Sequence, residues 1–162
     1  MRAIPQVVLF GSISGDWRER HVIPVLDELG VTYFNPVQPR GWTCQAGDIE
    51  AEFMARCETV VMVFNTMLPS FAGLAESGWA ALGCIERQQQ FVLQIDREFA
   101  LRLPAALSAT PVGARLEKDL QGWTTRSRYL VHKHAGEFRH PRLHLVADVP
   151  AVAAKLREIY AS

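Results

Sequence analysis

The chain has 162 residues, which is enough for one domain with a hydrophobic core and short for two, so we expect residues 1–162 to form a single domain. Its 17 basic and 17 acidic side chains cancel, so the charge gives no reason to expect nucleic acid or an anionic membrane as a partner. Three cysteines without metal-ligand spacing predict free thiols, and the lack of a signal-peptide pattern or long apolar run predicts a cytoplasmic protein without a membrane span.

The first apolar run, residues 6–10, predicts a strand that is buried on both faces of a parallel sheet. A turn of small residues follows it, which would let the backbone approach a ligand closely. Within that turn, Ser14 or Asp16 is a candidate N-cap for the next helix. Pro24 should kink that helix or delay its start, and Gly30 should end it.

A second, shorter strand is predicted over residues 31–34, closed by Asn35 and Pro36. The next segment, residues 37–47, has the composition of a loop and contains one aromatic side chain, Trp42. This tryptophan either forms a wall of a binding site or packs on the surface of the sheet, and the sequence leaves both interpretations open.

The middle of the chain carries the clearest pattern. Residues 48–57 predict a helix with its apolar side chains on one face. Residues 59–64 have a Val-Val-Met-Val core, which favours a strand at the centre of the sheet. A helix should then start near Phe71 or Gly73 and continue to Arg87.

Residues 91–95 predict a fourth strand, but residues 97–128 give no ordered pattern. A strand is possible over residues 129–132 and clear over residues 143–146, and Asp148 is the candidate N-cap of a final helix. Apolar strands that alternate with helices are typical of parallel sheets with crossover helices. The predicted fold is therefore α/β: a doubly wound, mostly parallel five-stranded sheet in a flavodoxin-like or Rossmann-like three-layer sandwich.

Four histidines lie among basic residues near the C-terminus: His132, His134, His140 and His144. Their spacing does not match a helical metal site backed by acidic ligands, so a solvated loop and strand edge is favoured over a metal site. The basic character of this segment would alternatively help to hold a phosphate or line a subunit contact.

Three segments together resemble the nucleoside 2-deoxyribosyltransferase superfamily. They are Phe10-Gly11-Ser12-Ile13, Asp48-Ile49-Glu50 with the strand at residues 59–63, and Pro69-Ser70-Phe71-Ala72-Gly73-Leu74-Ala75-Glu76-Ser77-Gly78-Trp79-Ala80. The resemblance covers about residues 6–96, and its most specific part is the last segment. The superfamily includes transferases that move deoxyribose between bases and a branch that hydrolyses nucleoside 5′-monophosphates.

The resemblance implies roles for particular residues. Glu76 occupies the position of the nucleophile that attacks the anomeric carbon, and Glu50 stands where an aspartate usually handles protons at the leaving base. Ser70 occupies a position that is a serine, preceded by proline, in the phosphate-binding hydrolase branch. Gly11 and Ser12 match the turn that lines the sugar or phosphate.

Four further residues are candidate substrate contacts because they follow predicted strands or open a predicted helix, where α/β sheets bind ligands: Ile13, Asp16, Asn35 and Gly73. Structural alternatives exist for the two carboxylates. Glu76 would alternatively be a first-turn glutamate stabilised by the helix dipole by about 0.3–1 kcal/mol. Glu50 would alternatively lie on a solvated helix face.

Three functional hypotheses follow. The first is an enzyme that breaks or transfers the N-glycosidic bond of a small nucleoside or nucleotide, which requires two carboxylates and no cofactor or metal ion. The second is a non-catalytic nucleotide-binding sensor of the same fold, and the third is a protein-interaction module. The resemblance also implies a homo-oligomer, because a neighbouring subunit often completes the pocket in this superfamily.

Overall fold

A computed structural model describes residues 2–37, 41–99 and 101–161 of the chain. Its five strands form one sheet, in which all neighbouring strands are parallel and the order is β2-β1-β3-β4-β5. The strands are β1 (Val7–Gly11), β2 (Tyr33–Phe34), β3 (Thr59–Phe64), β4 (Gln90–Ile95) and β5 (Leu143–Val146). This is the flavodoxin-like strand order, in which the chain reverses its direction of winding between β1 and β3. The predicted fold class is confirmed.

Helices cover both faces of the sheet. They are α1 (Ile23–Glu28), α2 (Cys44–Arg56), α3 (Phe71–Glu86), α4 (Ala105–Ser108), α5 (Pro111–Glu137) and α6 (Val149–Tyr160), and a π-helix (Arg18–Val22) precedes α1. Helices α2, α3 and α5 contribute to the apolar layer on one face, while the π-helix, α1 and α6 form the other. None of the helices in the described part of the chain is both long and apolar enough to cross a membrane.

The central strand β3 explains why the sheet is so strongly specified. All six of its residues are buried. Met62 and Phe64 belong to the core on the α3 side, whereas Val61 and Val63 belong to the core on the α6 side. A strand buried on both faces needs apolar side chains at successive positions, so the prediction that residues 59–64 lie at the centre of the sheet is confirmed.

The first helical segment differs from expectation at its start. Its N-cap is Trp17, and the prediction that Ser14 or Asp16 would cap it was wrong. The Asp16 carboxylate instead pairs with Arg20 one turn later, with Oδ2 2.9 Å from Nε. The aspartate therefore supports the first helical turn through an ion pair.

Pro24 delays the regular helix, as predicted. Helix α1 begins at Ile23, after the π-helical turn, and has Pro24 in its first turn. A proline is tolerated there because the N–H that it lacks would have no partner within the helix. Gly30 ends this segment in the left-handed conformation with φ of 65°, which also confirms the prediction for that residue.

Helix α2 begins four residues before the predicted start. The Thr43 hydroxyl accepts a hydrogen bond from the Ala46 N–H at 3.1 Å and caps a helix that begins at Cys44. The prediction that residues 44–47 belong to a loop was therefore wrong. Residues 38–40 of the predicted loop lie outside the described residues.

The region that gave no ordered pattern contains the longest helix, α5, with 27 residues. Thr110 caps it by accepting from the Gly113 N–H at 3.0 Å, and Pro111 occupies its first turn. The possible strand at residues 129–132 was wrong, because those residues continue this helix. Their apolar side chains form part of a helical stripe whose inner members include Val131 and Ala135.

The C-terminal histidines are divided between two elements. His132 and His134 lie on α5, so their expected placement in a loop was wrong. His144 lies in β5 with Nε2 2.9 Å from Gln90 Oε1, and burial lowers its pKa. The predicted strand at residues 143–146 is confirmed. The prediction that Asp148 caps the final helix is also confirmed, because its Oδ1 accepts a hydrogen bond from the Ala151 N–H of α6 at 2.8 Å. Among the described residues, no three His, Cys, Asp or Glu side chains lie close enough together to hold a metal ion.

Candidate active site at the carboxyl ends of β1 and β3

The loops that follow β1 and β3 meet at one edge of the sheet. Ser12 is buried, and its Oγ lies 2.9 Å from the Oγ of Ser70. The backbone N–H of Asn65 donates to the same Ser12 hydroxyl at 3.1 Å, and the Asn65 side-chain amide donates to the Ser14 carbonyl at 2.6 Å. These hydrogen bonds join the two loops into one polar wall, at the edge where doubly wound sheets bind ligands.

Two glycines that the sequence indicated as candidate site residues, Gly11 and Gly73, permit the close approach of these loops. Gly11 has φ of 104°, and a Cβ added there would lie 2.1 Å from the Val63 carbonyl oxygen. A Cβ added at Gly73, in the first turn of α3, would lie 2.8 Å from the Phe64 ring and 3.7 Å from the Cα of Gly11. The start of α3 therefore packs against the Phe64 ring at the end of β3, so closely that a side chain at Gly73 would force the ring to shift, and it lies in ordinary contact with the end of β1.

Ser70 precedes α3 in a left-handed conformation, with φ of 56° and ψ of 42°. For a residue other than glycine this conformation costs about 1–3 kcal/mol. Ser70 occupies the N-cap position, but its hydroxyl meets Ser12 and the Leu68 carbonyl and makes no capping bond to the helix in the described chain. The hydroxyl thus lies beside the free N–H groups at the start of α3, which favour an anion.

The two predicted carboxylates lie on neighbouring helices, Glu76 on α3 and Glu50 on α2. Glu76 is exposed, yet partial burial and, second, the Glu50 carboxylate raise its pKa above the ordinary value. Glu76 is the sixth residue of α3, so the first-turn interpretation was wrong. The dipole effect falls off within the first turn.

Trp42 stands beside Glu50. Its Nε1 donates to the Glu50 Oε2 at 3.3 Å, and its ring lies 2.6 Å from where a Cβ on Gly47 would be. The side chain packs on α2 and stays 65% exposed, so the alternative that it packs on the sheet was wrong. An exposed aromatic face next to a carboxylate suits a planar, nitrogen-bearing group such as a nucleobase.

The remaining candidate residues are less closely connected to the two serines. Ile13 is on the β1 loop and is 67% exposed. Asp16 is engaged by Arg20, and the Asn35 amide lies 3.5 Å from a carboxylate oxygen of Glu19, on the π-helix. The fold thus brings together the predicted glycines and serines, while Asp16 and Asn35 have other partners.

The sequence did not indicate three residues that form hydrogen bonds to the loops of this site: Asn65, Arg18 and Arg128. Asn65 is the first residue after β3, and a polar side chain directly after a buried strand was a usable signal. The arginines gave no such signal, because their partners are main-chain carbonyls that only the fold brings near.

An apolar groove of about 540 Å³ lies elsewhere, between α3 and α5. Its lining includes Leu74, Ala81, Leu130 and Phe138, and it does not include either predicted carboxylate. Since chemistry needs convergent polar groups, the candidate site is the crevice at the strand ends rather than this groove.

Removal of the Glu50 charge should change the titration of Glu76. Because repulsion by Glu50 raises the pKa of Glu76, we expect Glu50→Gln to lower that pKa. Carboxyl carbon-13 NMR titration of both proteins measures it, with Glu52→Gln as the control on the same helix. An unchanged Glu76 titration in Glu50→Gln would show that the two carboxylates are not coupled.

The structure therefore shows a pair of serine hydroxyls at the start of α3, Glu76 further along the same helix, and Glu50 beside an exposed indole ring on the neighbouring α2. Comparison of the sequence with protein-family models and with curated proteins finds no match.

Proposed function

We propose that this protein breaks the N-glycosidic bond of (deoxy)nucleosides or nucleoside 5′-monophosphates, with Glu76 as the nucleophile. The resemblance to the nucleoside 2-deoxyribosyltransferase superfamily suggests the class of substrate. The observation that carries the proposal is the placement of Glu76 on α3 and Glu50 on the neighbouring α2, with Ser70 at the start of α3 in contact with Ser12 of the β1 loop. A two-carboxylate crevice is the arrangement that glycosidic chemistry requires.

In the proposed reaction, the Glu76 carboxylate attacks C1′ and the C1′–N bond breaks. The bonding electron pair goes to the base nitrogen, and the base takes a proton from Glu50. Water or a second base then gives a proton to the Glu50 carboxylate and attacks C1′, the bond between C1′ and the Glu76 oxygen breaks, and both carboxyl groups return to their starting state after hydrolysis or transfer.

The surrounding groups support the two ends of such a substrate. The exposed ring of Trp42 can stack on the base while Glu50 protonates it. The half-buried Ser70, whose hydroxyl is held by Ser12, and the first N–H groups of α3 offer donors for a 5′-hydroxyl or a 5′-phosphate. The positive end of the helix dipole favours the phosphorylated substrate.

Product analysis tests this proposal. The protein is incubated with deoxynucleosides and with their 5′-monophosphates, with and without an added acceptor base. Free base without an acceptor indicates hydrolysis, and a new nucleoside with an acceptor indicates transfer. Tight nucleotide binding by calorimetry without base release would contradict the enzymatic proposal and support a nucleotide-binding sensor. The absence of a thermal shift with any nucleotide would contradict both hypotheses.

We also propose that the protein is a homo-oligomer that associates through α3. The outer surface of this helix exposes Phe71, Trp79 and Leu82, and Trp79 is 82% exposed. Large exposed apolar patches are typical of interaction surfaces. Glu76 is exposed on the same helix, so a second copy seated on α3 would shield the proposed nucleophile from water.

The substitution Trp79→Glu should weaken this association. A charge in an apolar interface is costly to bury, so we expect the variant to sediment as a monomer at concentrations where the wild type does not. Leu107→Glu, at an exposed position on α4, is the matched control and should sediment like the wild type. A wild-type monomer at high concentration would rule out association through α3.

A further inference from the structure

One buried arginine ties the C-terminal half of the long helix α5 to the β3 loop. The Arg128 side chain is completely buried. Its Nη1 donates to the carbonyls of Phe64 at 3.2 Å and Asp96 at 3.1 Å, and its Nη2 donates to those of Asn65 and Leu68, both at 2.7 Å. A single guanidinium therefore fixes the ends of β3 and β4 and the loop that leads to the second serine of the crevice.

A second buried arginine does the same for the β1 loop. The Nη1 of Arg18 donates to the Ser12 carbonyl at 2.9 Å, while Nε and Nη2 donate to the Leu9 carbonyl at 3.2 and 3.1 Å. The guanidinium also lies 4.1 Å from the Trp17 ring centre, and the Trp17 Nε1 donates to the same Ser12 carbonyl at 2.9 Å. Arg18 thus holds the backbone of the first serine.

The positive charges of Arg18 and Arg128 are buried, and main-chain carbonyls are their hydrogen-bond partners. Neither Arg18 nor Arg128 forms an ion pair with a carboxylate among the described residues, and main-chain carbonyls accept their hydrogen bonds. Burial lowers the pKa of Arg18 to about 10 and also lowers that of Arg128. Apolar residues often stabilise a core as well as buried charges do, so stability alone does not account for two such residues.

We propose that Arg18 and Arg128 are positioning residues: they hold the buried Ser12 against Ser70, so that the Ser70 hydroxyl is placed to bind the 5′ end of the substrate. This inference rests on the proposed function. The serine hydroxyls touch each other, but each is carried by a different loop, and each loop is fixed by its own guanidinium. A lysine retains the charge but lacks the planar fork that reaches several carbonyls at once.

Steady-state kinetics of Arg18→Lys and Arg128→Lys test the role in substrate binding. Displacement of a binding group by about 1 Å can cost about 100-fold, so we expect KM to rise by about 10- to 100-fold while kcat changes little. Arg126→Lys, at an exposed position on α5, should behave like the wild type. A loss of active protein with unchanged KM would show a merely structural role and overturn the proposal, as would kinetics like those of the wild type.

Amide hydrogen exchange without substrate provides a second test that does not depend on activity. The N–H groups of Asn65 and Met67 donate to Ser12 Oγ and to Asn65 Oδ1. In Arg128→Lys we expect both amides to exchange at least about tenfold faster, with the Arg126→Lys control unchanged. Unchanged exchange would overturn the proposal.

The two tests separate the possible failures. If the wild type releases no base from any nucleoside or nucleotide, the proposed function fails, while the exchange rates still decide whether Arg128 fixes the loop. If Arg128→Lys melts below the assay temperature, Arg18→Lys, on the other face of the sheet, gives the same comparison through its KM and the exchange of the Asn65 amide.

Discussion

Replacement of Glu76 by glutamine is expected to lower the rate of base release by about 10³-fold or more. The amide has nearly the same size as the carboxylate but cannot attack C1′, so the reaction loses its covalent route. Glu50→Gln removes the proposed acid and should cost about 10²–10⁴-fold. Chromatographic measurement of free base from deoxynucleosides and their monophosphates gives both rates.

Two controls separate this effect from unfolding. Glu86→Gln, at the exposed end of the same helix α3, should retain wild-type activity. Because the folded-state pKa of Glu76 is raised, its stabilising contribution is present below the unfolded pKa and is lost as the pH rises through the folded pKa. At neutral pH, Glu76→Gln should therefore melt at the wild-type temperature or above it. Full activity in this well-folded variant would remove Glu76 from the mechanism.

Substitution of Gly11 by alanine is expected to lower the free energy of unfolding by about 3 kcal/mol or more. The added methyl group would lie 2.1 Å from the Val63 carbonyl oxygen, which belongs to the central strand and cannot move away freely. The φ of 104° adds backbone strain for any residue with a Cβ. Urea denaturation monitored by circular dichroism measures the change.

Gly30→Ala is the matched control for this substitution. Gly30 also has a positive φ, of 65°, but among the described residues nothing lies within 4 Å of an added Cβ. Only the conformational cost of about 1 kcal/mol should remain there. Equal destabilisation by the two alanines would mean that the contact between Gly11 and β3 is unimportant.

The parts of the fold that follow from local patterns were predictable from the sequence. The strands at residues 59–64 and 143–146 have the predicted bounds, because apolar runs between polar turns are distinctive. The start of α2 was missed because the Thr43 cap was not considered. The strand predicted within α5 was wrong because a short apolar run fits a helical stripe equally well.

The candidate site was predictable only in part. A turn of small residues after β1 and a helix start after β3 predicted that these segments meet at one edge of the sheet, and the structure brings them together there. The contact between Ser12 and Ser70 depends on the parallel register of β1 with β3, which the local sequence does not reveal. Arg128 lies 63 residues from Asn65, whose main-chain carbonyl accepts its hydrogen bond, and a carbonyl is present at every position. No residue pattern identifies such a partner.

Intact mass and peptide analysis of the protein, quenched during incubation with a deoxynucleoside or its 5′-monophosphate, tests the central claim most directly. The proposed mechanism predicts a glycosyl ester on the α3 peptide that contains Glu76, formed with loss of the base and absent in Glu76→Gln. Base release by the wild type with the sugar attached to another residue, or at an equal rate in Glu76→Gln, would contradict the assignment of Glu76 as the nucleophile.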